Sequence, residues 1–284
     1  MSDTRAIKTF LEDHAGVASV RLTRVRGSSP RDAGAEMFVA KGATFGTIGG
    51  GQLEYMAISQ ARVMLAQGGD KMVMDVPLGP EIGQCCGGRV EISLARMSVA
   101  DKLMAVGSLA GEVSNYPSVY IIGAGHVGRA LAASLALLPV KTILIDGRTD
   151  ELSQCKAAVE KRLTPLAEAE IRAASAGSAF VVLTHDHSLD FLAASEALAR
   201  GDAAYVGMIG SASKRASFKS WCRRENDGQS INNLTCPIGA GSCCDKRPDV
   251  IAALVAAEVI TELTGFKARE AAEKPSVLLE GRSS

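Results

Sequence analysis

Two thiols stand side by side in a glycine-rich segment, at Cys85 and Cys86. The segment reads Gly83-Gln84-Cys85-Cys86-Gly87-Gly88, and its glycines let a ligand approach the sulfur atoms closely. Thiolates are the preferred ligands of soft metals, and nearby backbone N–H groups activate them. Cys85 is therefore a candidate for binding a soft metal or carrying sulfur. The alternative is a pair of inert thiols in the core.

Adjacent cysteines do not suit a structural zinc site, whose ligands usually stand two to four residues apart. The chain has seven cysteines and no C-x-x-C pair. No secretory signal is evident near the first residues, and no stretch is apolar over the ~18 residues that a membrane span needs. We therefore expect a cytoplasmic protein with free thiols, in which Cys155 and Cys222 fill space.

A second glycine run, Gly49-Gly50-Gly51, leads into apolar residues at helical spacing, and Glu54 falls in the first helical turn. A helix N-terminus attracts anions through its free N–H groups and its dipole. Gly49, Gly50, Gly51 and Glu54 are therefore candidate ligand-binding residues. An ordinary acidic residue at a helix start is an equally good interpretation of Glu54.

The spacing G-x-G-x-x-G occurs at Gly123, Gly125 and Gly128, directly after the apolar run Val119–Ile122. The first glycine permits a tight turn, the second lets a diphosphate approach, and the third lets helix and strand pack closely. Asp146 ends the next predicted strand, 18 residues after the third glycine. This context predicts a phosphate-binding loop, with Asp146 accepting hydrogen bonds from ribose hydroxyls.

Two histidines lie near this predicted loop. His126 is the first residue of the helix, and His185 follows a buried strand at the edge where doubly wound sheets place ligands. Arg148 could meet a 2′-phosphate instead of a free ribose, so the residues leave NAD and NADP both open. A domain that keeps its glycines only for packing, and binds something else or nothing, is the alternative.

Strands alternate with helices in the second half, which predicts a parallel, doubly wound sheet. The first half mixes strands, a hairpin and one helix, so the fold class is α/β with two different domains. We predict an N-terminal domain at residues 1–97, a linker at 98–117 and a C-terminal domain at 118–284. We also expect the two halves to share a ligand cleft.

Composition excludes several classes of function. Lys plus Arg and Asp plus Glu both number 31 in 284 residues, and no basic block is present, so nucleic acid is not expected as a partner. The chain is 47% hydrophobic but 4% aromatic and contains 29 glycines, which favours an α/β protein over a β-sandwich.

Taken together, the motifs resemble the XdhC/CoxI family of xanthine dehydrogenase accessory proteins. The resemblance rests on the thiol segment, the G-x-G-x-x-G loop, and Gly46-Thr47-Ile48-Gly49-Gly50-Gly51 followed by Glu54. Further matching segments are Gly27-Ser28-Ser29-Pro30-Arg31, Thr184-His185-Asp186-His187-Ser188-Leu189-Asp190, Tyr205-Val206-Gly207-Met208-Ile209-Gly210-Ser211 with Lys214-Arg215, and Cys236-Pro237-Ile238-Gly239. One departure is Gly239-Ala240-Gly241-Ser242-Cys243-Cys244-Asp245, where an apolar glycine-rich loop is expected.

The resemblance implies a family-specific N-terminal domain, a Rossmann-like C-terminal domain and a chaperone of the molybdenum cofactor. Such a protein binds the cofactor, promotes its sulfuration by a cysteine desulfurase and delivers it to a molybdenum hydroxylase such as xanthine dehydrogenase. Carried over to this sequence, Cys85 contacts molybdenum or its sulfur, with Cys86, Gln84 and the loop of Gly49 to Gly51 beside it.

Two other classes of function remain open at this stage. An NAD(P)-dependent oxidoreductase would use the phosphate-binding loop, with His126 or His185 as proton donor. A metal or sulfur carrier would use Cys85 alone. The cofactor chaperone is favoured over a turnover enzyme. The sequence names no client enzyme, fixes no oligomeric state and is compatible with a homo-oligomer.

Overall fold

The chain folds into two compact units, each with its own sheet. The computed structural model describes residues 2–80, 87–239 and 245–273. Unit 1 comprises Met1–Ser114 and unit 2 comprises Asn115–Ser284. A helix long and apolar enough to cross a bilayer does not occur in these ranges. The predicted α/β class is confirmed.

Unit 1 contains an antiparallel sheet with helices packed on it. Its helices are α1 (Ser2–Asp13), α2 (Gly51–Ala66) and α3 (Val99–Ser114). Its strands are β1 (Val17–Arg26), β2 (Glu36–Ala40), β3 (Thr44–Gly46), β4 (Lys71–Pro77) and β5 (Arg89–Arg96). The strand order is β3-β2-β1-β5-β4.

Helix α2 covers one face of this sheet. Its buried residues are Leu53, Ala57, Ala61 and Met64, whose three- and four-residue spacing places them on a single stripe. They pack against the inward side chains of the strands, namely Ala18, Val20, Leu22, Met37, Val39, Val90, Ile92 and Leu94. This packing fixes the start of α2, and hence the glycine run before it, at one end of the sheet.

Helices α1 and α3 cover part of the opposite face. Ile7 and Leu11 of α1 form a smaller core with Val17 and Phe38 of the sheet. The ammonium group of Lys102 on α3 donates to the carbonyl oxygens at the end of α1, at 3.0 Å from Leu11 and 2.6 Å from His14. A cation there complements the negative end of the helix dipole.

Residues 98–117, the predicted linker, contain helix α3, and the division between the units falls after Ser114. The helix begins with a capping box, in which Asp101 accepts from the backbone N–H of Ser98 at 2.8 Å and the Ser98 hydroxyl accepts from the Asp101 N–H at 3.2 Å. Glycines at 107 and 111 weaken the helical pattern but do not end the helix, because its other face packs on α1.

Unit 2 contains a parallel sheet between two layers of helices. Its helices are α4 (His126–Leu135), α5 (Thr149–Ser153), α6 (Ala167–Ala173), α7 (His187–Ala199), α8 (Ala212–Glu225) and α9 (Pro248–Glu273). Its strands are β6 (Ser118–Ile122), β7 (Lys141–Asp146), β8 (Glu160–Leu163), β9 (Ala179–Val182), β10 (Tyr205–Met208) and β11 (Leu234–Thr235). The order is β11-β10-β9-β6-β7-β8.

This order is that of a doubly wound dinucleotide-binding fold, and the predicted parallel sheet is confirmed. Alternate residues of β6 face different cores. Val119 and Ile121 pack with α4 and α9, whereas Tyr120 and Ile122 pack with α6, α7 and α8. The sheet reverses its winding between β6 and β9, so the crevice for a ligand is expected at their carboxyl ends.

Replacing Lys102 by methionine should lower the free energy of unfolding of unit 1 by about 1–2 kcal/mol, because charge-assisted bonds to the end of α1 are lost. The change can be measured by urea unfolding followed by circular dichroism. Trp221, the one tryptophan of the chain, lies in unit 2, so its fluorescence transition should not move.

The matched control is Lys8→Met, which removes an exposed pair with Glu12 at 3.8 Å. This change should cost no more than about 0.5 kcal/mol. Equal effects of the two substitutions would show that Lys102 does not hold α1.

Candidate functional site

Three of the sequence motifs meet at one corner of unit 1. The loop after β1 forms an isolated bridge from Ser28 to Gly87, the residue that directly follows the cysteine pair in the sequence. On its other side, Pro30 of the same loop packs against Gly49, where a Cβ atom would lie 3.1 Å from the proline Cβ. Residues 27–31 therefore join the segment around Gly87 to the glycine run before α2.

Backbone packing at this corner leaves no room for a side chain at Gly88. A Cβ atom there would lie 2.1 Å from the carbonyl oxygen of Ser28 and 2.8 Å from that of Arg26. Beside this contact, the hydroxyl of Ser29 is buried and has no hydrogen-bond partner in the described part of the chain. Buried hydroxyls are normally paired, so this group is available to a ligand or to an ordered water.

Glu54 organises the glycine run. Its carboxylate accepts from the Thr47 hydroxyl, from the N–H of Ile48 at 3.0 Å and from the N–H of Gly50 at 3.2 Å. Burial raises the pKa of this carboxyl, but these hydrogen bonds outweigh burial and hold the pKa below its ordinary value. Glu54 therefore fixes the conformation of the loop through Gly49, in addition to lying in the first turn of the helix.

Three of the predicted site residues, Gln84, Cys85 and Cys86, lie outside the described residues. The structure thus brings Gly49 and Gly87 to one corner but does not test the predicted thiol contacts. Within the described ranges, no three His, Cys, Asp or Glu side chains are grouped so that they could hold a metal. Cys155 and Cys222, predicted to be filler in the core or at the surface, are buried free thiols.

In unit 2, the three predicted glycines have different surroundings. Gly123 has a φ of 120°, and a Cβ atom there would lie 2.3 Å from the carbonyl oxygen of Leu183. At Gly128 a Cβ atom would lie 2.0 Å from the carbonyl oxygen of Gly123. By contrast, a Cβ atom at Gly125 would meet no described atom within 4 Å. The first and third glycines serve packing, and the second faces open space where a ligand has access.

Asp146 is buried at the end of β7, and its carboxylate holds the glycine loop. Its Oδ2 accepts from the N–H of Ala124 at 2.7 Å. The guanidinium of Arg148 donates to both oxygens at 2.9 Å. Burial raises the pKa of Asp146, but the bonds from Arg148 and Ala124 outweigh it and keep the pKa below its usual value. Asp146 is therefore ionised at neutral pH and engaged with the protein itself.

A cavity of about 260 Å³ opens beside this carboxylate, at the carboxyl edge of the sheet. Its walls are mostly apolar, and its polar lining includes Asp146, Arg148 and His185. Gly123 reaches the cavity, whereas His126 lies on the exposed first turn of α4 and does not line it. The structure thus groups Gly123, Asp146 and His185.

The segment around His185 also caps a helix. Asp186 is the N-cap of α7 and accepts from the N–H groups of Ser188 at 2.6 Å and Leu189 at 3.3 Å. The segment thus caps α7 through Asp186 and lines the cavity through Thr184 and His185. The spacing of His185 and His187 does not form a metal site with other described residues.

An ion pair that the sequence analysis did not single out lies at the same edge. Asp190 is fully buried, and it accepts from the ammonium of Lys214 and from the N–H of Thr184 at 2.8 Å. Lys214 also donates to the carbonyl oxygen of Ile209 at 2.9 Å. The pair ties the ends of β9 and β10 together. Asp190 and Lys214 each belong to a segment that resembles the family. They are 24 residues apart, however, and a separation of that length does not indicate an ion pair.

Replacement by alanine should destabilise unit 2 much more at Gly128 than at Gly125. Gly128→Ala should lower the free energy of unfolding by at least about 3 kcal/mol, because backbone must move to admit the Cβ atom. Gly125→Ala should cost about 1 kcal/mol at most, the typical cost at an N-cap. Urea unfolding followed by Trp221 fluorescence reports on unit 2. Comparable losses in both variants would contradict the assignment of Gly125 to an open position.

Glu54→Gln should destabilise unit 1 by about 1 kcal/mol at pH 7, because a charge-assisted acceptor is lost. The folded pKa of Glu54 lies below its ordinary value of 4.5, so the ionised group stabilises the fold above that pH. The difference between the two proteins should shrink as pH falls below 4.5. Circular dichroism in urea at several pH values measures it, with the exposed Glu112→Gln as control. A difference that is independent of pH would exclude this role of the charge.

Both units are similar to known protein families. Residues 10–76 match the family described as XdhC and CoxI, and residues 119–259 match the XdhC Rossmann domain. YqeB, an uncharacterized protein of Escherichia coli (strain K12), is 25% identical over 264 residues, which cover 88% of this chain and 44% of that protein. This chain therefore spans less than half of that relative's length.

A solved structure has the same fold along the chain. It is a protein of Bacillus halodurans described as a xanthine dehydrogenase, with a TM-score of 0.78 and 17% sequence identity. The alignment covers 97% of this chain and 98% of that one. Because the two family matches occur one after the other and fall one in each unit, the chain belongs to the XdhC and CoxI family.

Proposed function

We propose that this protein binds the molybdenum cofactor, assists its sulfuration and inserts it into a molybdenum hydroxylase such as xanthine dehydrogenase. The observation that carries the proposal is the meeting of the loop 27–31, the glycine run at Gly49 and the backbone at Gly87 and Gly88. The cysteine pair directly precedes that backbone in the sequence.

The chemistry of this corner suits a soft metal held by sulfur. A thiolate of Cys85 is the proposed contact to molybdenum or its sulfur, with Gln84 and Cys86 beside it, because thiolates are preferred by soft metals. The hydroxyl of Ser29, which has no partner among the described residues, offers a nearby hydrogen bond. A Cβ atom at Gly50 or at Gly87 would meet no described atom within 4 Å, so a bulky cargo can approach the backbone there.

Unit 2 offers a phosphate-binding site of its own. The open backbone at Gly125 starts a helix whose dipole favours an anion, and the molybdenum cofactor, a pterin dithiolene, bears a phosphate. The groups of unit 2 that would bind a phosphate are Gly123, Gly125 and the first turn of α4, where His126 is exposed. Asp146 holds this loop in place through Ala124.

The proposed partners follow from the same chemistry. A cysteine desulfurase supplies the sulfur while this protein holds the cofactor, and a molybdenum hydroxylase receives the product. The Bacillus halodurans protein of the same fold is described as a xanthine dehydrogenase, which supports that class of client. In this role the protein binds, orients and releases its cargo.

Anaerobic binding of the molybdenum cofactor to the purified full chain tests the proposal. The wild type should retain about one cofactor per chain after gel filtration, and Cys85→Ala should weaken binding at least about tenfold because a metal contact is lost. Metal analysis and the cofactor's absorbance measure both.

The matched control is Cys222→Ala. Burial raises the pKa of the Cys222 thiol, which keeps it protonated and inert, so this variant should bind as the wild type does. If Cys85→Ala binds the cofactor and activates the client enzyme as well as the wild type does, Cys85 is not part of the site. A wild type that binds no cofactor would overturn the function itself.

A further inference from the structure

The carboxylate of Asp146 has no acceptor position left for a ligand. Its Oδ1 accepts from the backbone N–H and the Nε of Arg148, both at 2.9 Å. Its Oδ2 accepts from the N–H of Ala124 at 2.7 Å and from an Nη of Arg148 at 2.9 Å. A carboxylate offers about four lone-pair sites, so protein donors fill them all.

Recognition of a ribose depends on this same group. In doubly wound folds the acid at the end of the second strand accepts from the ribose hydroxyls, and Asp146 occupies that place at the end of β7. A diol needs two acceptor positions at once. The two positions that could be vacated are those taken by the side chain of Arg148, because the other two belong to backbone N–H groups.

The guanidinium of Arg148 is held but not buried. The side chain of Arg148 is 39% exposed, whereas that of Asp146 is 6% exposed, so Arg148 is the partner that can leave. Glu151 steadies it from the other side at 3.9 Å, and Glu151 is itself paired with Arg129. A ribose diol must therefore displace the guanidinium of Arg148, which both Asp146 and Glu151 attract. Only the small fraction of protein in which Arg148 has moved away can bind the diol.

We propose that Arg148 determines the specificity of the unit 2 cavity by occupying Asp146 and thereby excluding ligands recognised through a ribose diol, such as NAD(H). The cavity beside it is lined by Ile122, Ile145, Pro165 and Leu189, which suits a flat ring. The ligand class that fits is a phosphate ester of a planar heterocycle without a ribose.

The proposed ligand class rests on the proposed function, since a pterin phosphate is such an ester. The exclusion of NAD(H) is independent of the proposed function. Asp146 and Arg148 neutralise one another, and Glu168 also lines the cavity, so a second phosphate at the ribose position would meet uncompensated negative charge.

Ligand titration with matched variants tests the inference. NADH, NADPH and 6-hydroxymethylpterin phosphate are titrated into the full chain, with the fluorescence of each ring as the signal. The variants are Arg148→Ala, the double variant Arg148→Ala with Asp146→Asn, and Arg172→Ala. Arg172 is the control, because it forms a surface pair with Glu196. Thermal unfolding of each variant confirms that it is folded.

Arg148→Ala should bind NADH about tenfold more tightly than the wild type, since the acceptor positions are released. Adding Asp146→Asn should abolish the gain, and Arg172→Ala should match the wild type. The pterin ester should bind the wild type and Arg148→Ala within about a factor of two, because it does not use Asp146.

Equal or weaker NADH binding by Arg148→Ala would overturn the exclusion. Tight NADPH binding that is lost in Arg148→Ala would also overturn it, because Arg148 would then hold a 2′-phosphate. If NADH binding rises as expected but the pterin ester binds no variant, the exclusion stands and the ligand class is wrong. Failure of the proposed function itself is a separate result, seen in the cofactor-binding experiment with Cys85→Ala.

Discussion

Backbone lies directly on backbone at the centre of both candidate sites, and the rest of each site depends on that contact. In unit 1, Gly88 lies against the carbonyl oxygen of Ser28, and in unit 2, Gly128 lies against that of Gly123. A Cβ atom at either glycine would come within 2.1 Å of an oxygen atom. Close packing of this kind brings peptide groups together without interposed side chains and so fixes the shape of each loop.

Two carboxylates hold the loops that this packing creates. Glu54 gathers N–H groups of the glycine run in unit 1, and Asp146 holds Ala124 in unit 2. Sequence patterns make both acids candidates for direct contact with a ligand, with an ordinary acidic residue at a helix start equally open for Glu54. In the structure each is already satisfied by donors of the protein, which fixes the loop before any ligand arrives and reduces the reorganisation that binding requires. Because the carboxylate of Asp146 already accepts four hydrogen bonds from the protein, the cavity in unit 2 disfavours ligands that need this carboxylate as an acceptor.

Much of the fold could be predicted because its signals are local. The central strands of unit 2 are continuous apolar runs, such as Ala179–Val182, and the parallel sheet follows from their alternation with helices. The sequence does not reveal strand β8, because Glu160, Lys161 and Arg162 at this sheet edge give no apolar signal. The helix in residues 98–117 has a readable start in its capping box at Ser98, but its glycines point to a linker.

The sequence by itself determined the fold class, the family and the glycines that the backbone needs, because these depend on residue type and short spacing. Only the tertiary structure decided that residues 27–31, Gly49 and Gly87 share a corner, and that Arg148 occupies Asp146. Strand order and side-chain orientation set such contacts, and residue spacing along the chain does not encode them.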